Sequence, residues 1–153
     1  MNKDKNSKFI FNWVLVNKIS IGTPLKSEKD VFKLKEKKIN SILSLCSEDI
    51  LFKNFYNNFN HKSYVLPDHR DGICPNKNQI KMALKIIEES LIKGPIFIHC
   101  EAAVERSPLI CIAWLIFKES IPFEHAIRYL KDVHPNSNPH FEQLNVLKND
   151  FNK

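Results

Sequence analysis

The chain has 153 residues, a net charge of +6 and 43% hydrophobic residues. This length suits one domain with a real core, and the composition is ordinary for a soluble globular protein. The longest apolar run, residues 109–117, has about half the length that a bilayer span requires. The N-terminus lacks the apolar stretch and cleavage site of a secretory signal. The basic balance fits an anionic substrate and, equally, a merely basic surface.

Cysteine usage favours a reducing compartment. The four cysteines are Cys46, Cys74, Cys100 and Cys111. They form no CxxC pair and show no spacing with histidine that is typical of a metal site. Because disulfides are rare in the cytosol, four cysteines without a framework predict a cytoplasmic protein.

The first third of the chain predicts an arm, two strands and a helix. Residues 1–8 are polar and rich in Asn and Lys, which predicts a flexible arm ahead of a domain at 9–153. Residues 11–21 alternate apolar and polar side chains, which predicts two short strands joined by a tight turn. Residues 27–38 predict a helix that Ser27 caps.

The rest of the chain alternates strands with helices. Strands are expected at residues 39–46, 62–66 and 96–99. Helices are expected at residues 48–59, where the pattern is weak, and at 76–92, 109–117, 123–130 and 141–151. This order predicts an α/β domain whose mixed, mostly parallel sheet has helices on both faces.

Residues 99–107, His-Cys-Glu-Ala-Ala-Val-Glu-Arg-Ser, carry the clearest chemical signal. A strand, a tight loop and a helix N-terminus gather backbone N–H groups around an anion. In such a loop Cys100 would be a nucleophile of low pKa, although a lone cysteine is commonly a small buried hydrophobe. Arg106 would grip two oxygens of a tetrahedral oxyanion, and without an anion it is misplaced at the positive end of a helix. The segment indicates attack on a phosphate ester through sulfur.

Two neighbours of this pair have alternative interpretations. Ser107 could cap the helix with Pro108 at its first position, or it could donate to the Cys100 sulfur and stabilise it as a leaving group. His99 could order the loop by hydrogen bonding, or it could be a buried histidine with satisfied nitrogens.

Residues 99–107 resemble the protein tyrosine phosphatase signature HCxxGxxRS, in the variant of small dual-specificity phosphatases. The resemblance continues through Arg106-Ser107-Pro108-Leu109, residues 126–131 and residues 139–144, and covers about residues 11–148. It implies the protein tyrosine phosphatase-like fold and phosphomonoester hydrolysis through a cysteinyl-phosphate, with neither metal nor cofactor. The residues that would bind phosphate are Glu101, Ala102, Ala103, Val104, Glu105 and Arg106. The expected ligands are a phosphorylated protein or small phosphate ester, with phosphate, sulfate or vanadate in the loop; neither nucleic acid nor a partner subunit is expected.

The family also needs a general acid on an earlier loop. Asp68, in Leu66-Pro67-Asp68, stands where the resemblance places that acid. It would protonate the leaving oxygen and then deprotonate the attacking water. Asp71 is the rival, although Asp-Gly turn chemistry explains it well.

The loop departs from the family pattern in three places. Ala103 stands where the family has glycine, which suits backbone angles that are costly for a residue with a Cβ. Glu101 and Glu105 would repel phosphate if they faced inward, so we expect them to face outward. These departures keep a phosphate-binding pseudophosphatase open as an alternative, beside a phosphatase of phosphoinositides or small metabolites.

Two further alternatives concern cysteine chemistry. Cys46 or Cys74 could trap oxidised Cys100 as a disulfide, although we favour the interpretation that both are unrelated, half-buried cysteines. A rhodanese-like sulfurtransferase or an arsenate reductase also uses a loop cysteine, but Asp68 upstream favours phosphate chemistry.

Overall fold

One mixed sheet organises residues 8–151, the part of the chain that the computed structural model describes. Its strands are β1 (Phe11–Leu15), β2 (Ile19–Gly22), β3 (Ser41–Ser44), β4 (Asn60–Ser63) and β5 (Ile96–His99). They lie side by side in the order β1-β2-β5-β3-β4. β1 and β2 are antiparallel, whereas β2, β5, β3 and β4 pair in parallel. β5 is therefore central, and it ends at the same sheet edge as β3. The predicted arm, except for Lys8, lies outside the described residues.

The helices connect these strands and complete the domain. They are α1 (Glu28–Glu36), α2 (Lys77–Leu91), α3 (Arg106–Phe117), α4 (Phe123–Val133) and α5 (Phe141–Asn145). Two 3-10 segments, Ile50–Asn58 and His69–Asp71, and a π-helical turn, Val146–Asp150, lie between or after them. Among the helices of residues 8–151, none has the length and apolar character of a membrane span.

Local capping explains where the two best-predicted helices begin. The Ser27 hydroxyl accepts a hydrogen bond from the backbone N of Asp30 at 3.4 Å, so Ser27 caps α1 as predicted. Asn76 caps α2 through the backbone N of Gln79 at 2.8 Å, and the Gln79 side chain accepts in return from the Asn76 backbone N at 2.9 Å. Each cap satisfies N–H groups that a helix start leaves without partners.

The core lies on both sides of the sheet. One cluster unites α2, α3 and α4 with β2 and β5, and it includes Ile98 and Leu109. The other packs α1 and the first 3-10 segment against the opposite face, around Leu34, Tyr56 and Phe97. Helices therefore cover both faces, as predicted. Every residue of α3 from Arg106 to Leu115 is buried, so the helix that carries the candidate loop's arginine lies inside the core.

Three sequence predictions were wrong in detail. The fourth strand spans Asn60–Ser63 rather than residues 62–66, because a polar edge segment pairs in register with β3. Beyond Ser63 only single backbone hydrogen bonds continue, from Tyr64 N to Ser44 O and from Leu66 N to Leu45 O. Leu66 is buried at the start of the following loop. The segment expected as one helix at residues 141–151 is the short α5 followed by a π-helical turn. Within residues 48–59, Ile50–Asn58 forms a 3-10 segment instead of an α-helix.

Candidate active site

The candidate nucleophile lies where β5 ends and α3 begins. Cys100 directly follows β5, and only 3% of its surface is exposed to solvent. Its sulfur lies 3.2 Å from the Ser107 hydroxyl oxygen, and it accepts a hydrogen bond from the Ser107 backbone N at 3.4 Å. The sulfur therefore lies at the N-terminus of α3, against both the hydroxyl and the backbone N–H of Ser107.

The structure decides between the two interpretations of Ser107. α3 starts at Arg106, and Glu105 occupies the cap position without a capping side-chain hydrogen bond. Ser107 is therefore not the N-cap, and Pro108 is not the first helical residue, so that expectation was wrong. Because the signature loop itself supplies the turn into the helix, the Ser107 hydroxyl is left to contact the Cys100 sulfur.

Arg106 is held between two loops rather than in solvent. It is 8% exposed, and its Nη1 donates to the backbone oxygen of Leu66 at 3.4 Å. Its Nη2 lies 3.6 Å from Asp68 Oδ2 and 3.8 Å from Glu101 Oε2. The guanidinium therefore faces two carboxylates.

Asp68 lies in the candidate acid loop, the segment between β4 and α2. It follows Pro67 and caps the short 3-10 turn His69–Asp71. Its carboxylate accepts from the Arg70 backbone N at 3.0 Å and from the Arg70 Nε at 2.9 Å. These hydrogen bonds, with the positive charge of Arg106, lower the pKa of Asp68 to about 2. Asp71 is exposed and precedes Gly72, whose φ of 74° closes the turn. Asp68, not Asp71, thus faces Arg106.

His99 lies behind the loop in a polar chain. Its Nδ1 donates to the Cys100 backbone oxygen at 3.1 Å, because a carbonyl can only accept. Its Nε2 then accepts from the Ser44 hydroxyl at 2.6 Å. Burial lowers the pKa of His99 to about 4, so the ring is neutral. Both interpretations of His99 hold together: its nitrogens are satisfied, and one of them positions the loop.

A buried histidine that the sequence analysis did not single out supports the loop from the other side. His134 Nε2 donates to the Ala103 backbone oxygen at 2.6 Å, while its Nδ1 accepts from the Asn12 amide at 2.8 Å. Ala103 is fully buried with φ 59°, the left-handed conformation expected of the family's glycine. His134 directly follows α4 and belongs to none of the apolar patterns that predict helices or strands. The signal that could have indicated it is its position between the family-like segments at residues 126–131 and 139–144.

The loop glutamates reach cations at the rim. Glu101, whose side chain is 65% exposed, accepts from Arg70 at 2.8 Å. Glu105 contacts His69 Nδ1, and its other oxygen lies 3.3 Å from His140 Nε2. Each loop carboxylate therefore has a cationic or titratable neighbour, and Glu101 Oε2 also lies 3.8 Å from Arg106 Nη2.

A cavity of about 1540 Å³ opens over Cys100 and Arg106. Loop residues Ala102 and Val104 line its floor. Its outer walls include basic, acidic and apolar side chains, among them Lys8, Lys26, Glu48, Phe52 and Val65. A concavity therefore joins the nucleophile and the guanidinium, and it is wider than one phosphate group requires.

The cysteines are all thiols in this structure. Cys46 is buried with its sulfur 4.0 Å from His99 Nδ1, and burial raises its pKa to about 12. Cys74 lies 3.8 Å from Glu142 Oε2, and burial raises its pKa too. Cys111 is enclosed in α3, where burial strongly raises its pKa. These three thiols are protonated at neutral pH, so none of them is a strong nucleophile there.

Comparison with known families accounts for this arrangement. Residues 24–153 match the family described as the dual specificity phosphatase, catalytic domain. The chain belongs to that family. The match includes the signature loop, the candidate acid loop and all of α1 to α5, so the resemblance read from residues 99–107 is confirmed.

Curated relatives resemble the chain to different extents. The phosphatidylglycerophosphate phosphatase PTPMT2 of Arabidopsis thaliana is 21% identical over 139 residues, which cover 89% of this chain. Dual specificity protein phosphatase 5 of Rattus norvegicus is 38% identical over 54 residues, or 35% of this chain. The matches span only 61% of the plant protein and 14% of the rat protein.

Solved structures confirm the fold. Tk-PTP in its active form superposes with a TM-score of 0.77 at 18% identity, covering 90% of this chain and 93% of that one. PTPMT1 in complex with PI(5)P gives a TM-score of 0.73 at 14% identity, covering 90% and 92%. The protein tyrosine phosphatase-like fold is thereby shown, with its mostly parallel sheet and flanking helices.

Proposed function

We propose that this domain hydrolyses phosphomonoesters through a cysteinyl-phosphate on Cys100. One observation carries the proposal: the Cys100 sulfur rests between the hydroxyl and backbone N of Ser107, at the mouth of the helix that Arg106 begins. Loop amides of residues 101–106 would surround the phosphate, and Arg106 would bind two of its oxygens. This arrangement stabilises negative charge on sulfur and on the transferring group.

In the first step the Cys100 thiolate attacks phosphorus. The S–P bond forms while the bond to the leaving oxygen breaks, and Asp68 delivers a proton to that oxygen. Without substrate, Asp68 is paired with Arg70 and faces Arg106. When a phosphate dianion binds Arg106, it takes the place of the Asp68 carboxylate as the partner of that guanidinium. The loss of this positive neighbour raises the pKa of Asp68 and favours the protonated acid that the step needs.

In the second step water attacks the cysteinyl-phosphate. Asp68, now ionised, takes the water's proton, the P–S bond breaks, and inorganic phosphate leaves. The Ser107 hydroxyl, 3.2 Å from the sulfur, donates to the departing thiolate. Asp68 therefore acts as the acid in the first step and as the base in the second. Ser107 acts in the second step, as the donor to the leaving sulfur.

Turnover of para-nitrophenyl phosphate in the presence of a chelator tests this mechanism. Wild-type protein is expected to release nitrophenol and to be inhibited by vanadate. Cys100→Ser is expected to fall to background while still binding phosphate, and Cys74→Ser, the matched control, keeps its activity. Turnover by pure Cys100→Ser protein would exclude the mechanism.

For the substrate we propose phosphorylated proteins carrying phosphotyrosine, phosphoserine or phosphothreonine. The family's name and the relative from rat support this class. The wide cavity supports it as well, because a peptide chain needs room on both sides of the phosphorylated residue.

A phosphorylated lipid headgroup is the second candidate substrate. The relative that matches most of this chain's length is a phosphatidylglycerophosphate phosphatase, and lysines at the cavity wall suit a substrate with further anionic groups. A panel of phosphopeptides, phosphoinositides and phosphatidylglycerophosphate, compared by kcat/KM, separates the two classes. Micromolar phosphopeptide binding without turnover of any compound would instead indicate a pseudophosphatase.

The proposal includes a cytoplasmic monomer. Four cysteine thiols without a disulfide support a reducing compartment. Cell fractionation tests the location, and sedimentation of the purified protein tests the oligomeric state.

A further inference from the structure

We infer that His69, Glu105 and His140 form a binding site for a divalent transition-metal ion, Zn²⁺ above all, on the rim of the catalytic cleft. One ligand atom from each residue can be chosen so that all three lie within 4.8 Å of one another. Glu105 uses one oxygen to contact His69 Nδ1, and its second oxygen lies 3.3 Å from His140 Nε2. The three side chains therefore converge on a single point.

The donor set suits zinc. Two imidazole nitrogens and one carboxylate are a known protein ligand set for Zn²⁺, with bonds of about 2.0–2.2 Å and a fourth position left open. The ligand atoms of a tetrahedral ion at that bond length are about 3.4 Å apart. Small side-chain rotations would bring the three ligand atoms, which now lie within 4.8 Å of one another, to that separation. A second cavity of about 300 Å³, lined by His69 and His140, gives the open position room for water.

The two imidazole rings lie against each other. Their centroids are 3.9 Å apart and their planes are 30° from parallel. One ion can therefore take a nitrogen from each ring and an oxygen from Glu105 without any of the three side chains leaving the cluster.

The three ligands come from three separate elements. His69 follows Asp68 in the acid loop, Glu105 precedes Arg106 in the signature loop, and His140 stands at the start of α5. Their side chains are 33%, 19% and 48% exposed, respectively, so an ion can enter without unfolding the domain. A bound ion would thus cross-link the acid loop to the signature loop.

A regulatory consequence follows, and it rests on the proposed function. Asp68 must leave its ion pair with Arg70 when substrate binds. An ion bound to His69, the next residue, would restrain the loop in which Asp68 has to move. Occupancy is therefore expected to slow turnover, whereas binding itself does not depend on catalysis.

Zinc titration against a chromophoric chelator tests the site in a Cys100→Ser background, which removes the nucleophilic thiol as a competing ligand. We expect one Zn²⁺ per chain, and affinity at least tenfold weaker after His140→Ala or Glu105→Gln. His125→Ala, on an exposed histidine of α4, is the matched control and should leave the affinity unchanged. Circular dichroism and thermal unfolding in chelator verify that each variant is folded.

The outcomes separate binding from regulation. Zinc should raise the unfolding temperature of Cys100→Ser protein, and the added His140→Ala change should abolish that rise. Unchanged affinity in both ligand variants, or binding only when Cys100 is present, would overturn the site. If His140→Ala in otherwise wild-type protein loses zinc but keeps full zinc inhibition of nitrophenyl phosphate turnover, the regulatory consequence is wrong and the inhibition acts at Cys100.

Discussion

His134 donates a hydrogen bond of 2.6 Å to the backbone oxygen of Ala103, the one loop residue with a positive φ among residues 100–106. A left-handed conformation costs a residue with a Cβ about 1–2 kcal/mol, so the surrounding structure must hold it in place. The Asn12 amide fixes the tautomer of His134 by donating to its Nδ1. The loop thus keeps the family's backbone shape although alanine replaces glycine.

His134→Ala should weaken both the fold and the phosphate site. It leaves the buried Ala103 oxygen without a donor, which costs about 1–3 kcal/mol of unfolding free energy. Urea denaturation measures that loss, and vanadate inhibition measures how well the loop binds an oxyanion. His125→Ala serves as the control. If His134→Ala bound vanadate as tightly as wild type, His134 would be a packing residue without influence on the loop.

Asp68→Asn should lower kcat on an aryl phosphate by about 10²- to 10⁴-fold, the range typical of a lost general acid. Asp71→Asn should keep nearly all activity, because that residue is exposed in the Asp-Gly turn. Steady-state kinetics on both variants provides the measurement. Loss of activity in the Asp71 variant alone would transfer the acid role to it.

Arg70→Ala should move the alkaline limb of the kcat/KM profile to higher pH. The guanidinium's hydrogen bonds are the largest cause of the lowered pKa of Asp68, so removing them raises that pKa. A raised pKa keeps the acid protonated to higher pH, and a shift of about one pH unit or more is expected. The profile is measured in chelator, so that no metal contributes. Arg128→Ala, an exposed arginine on α4, should leave the limb in place; an equal shift there would point to overall charge as the cause.

Ser107→Ala should slow the second step more than the first. The hydroxyl stabilises the departing sulfur, and a hydrogen bond to a charged group is worth about 1.5–3 kcal/mol, or roughly 10- to 100-fold in rate. Stopped-flow measurements should show a burst of nitrophenol followed by slow turnover. Ser63→Ala, on the exposed β4, should behave as wild type. Slow release without a burst would place Ser107 in the first step.

Local signals in the sequence predicted much of the fold and part of the site. Ser27 and Asn76 mark two helix starts because a capping side chain acts within three residues. The spacing of Cys100 and Arg106 predicted that a single loop carries both residues. This signal is also local, because the two residues belong to one strand–turn–helix segment. The polar strand β4 was misplaced because its position depends on pairing with β3, which is remote along the chain.

The amino-acid sequence by itself determined the phosphatase signature and the order of strands and helices, because each is encoded in contiguous residues; it also predicts Asp68 as the general acid. Only the tertiary structure decided what surrounds them. The pairing of Asp68 with Arg106, the support of Ala103 by His134 and the convergence of His69 on Glu105 and His140 join segments far apart along the chain. Such contacts depend on how helices pack against the sheet, and no local pattern of side chains specifies them.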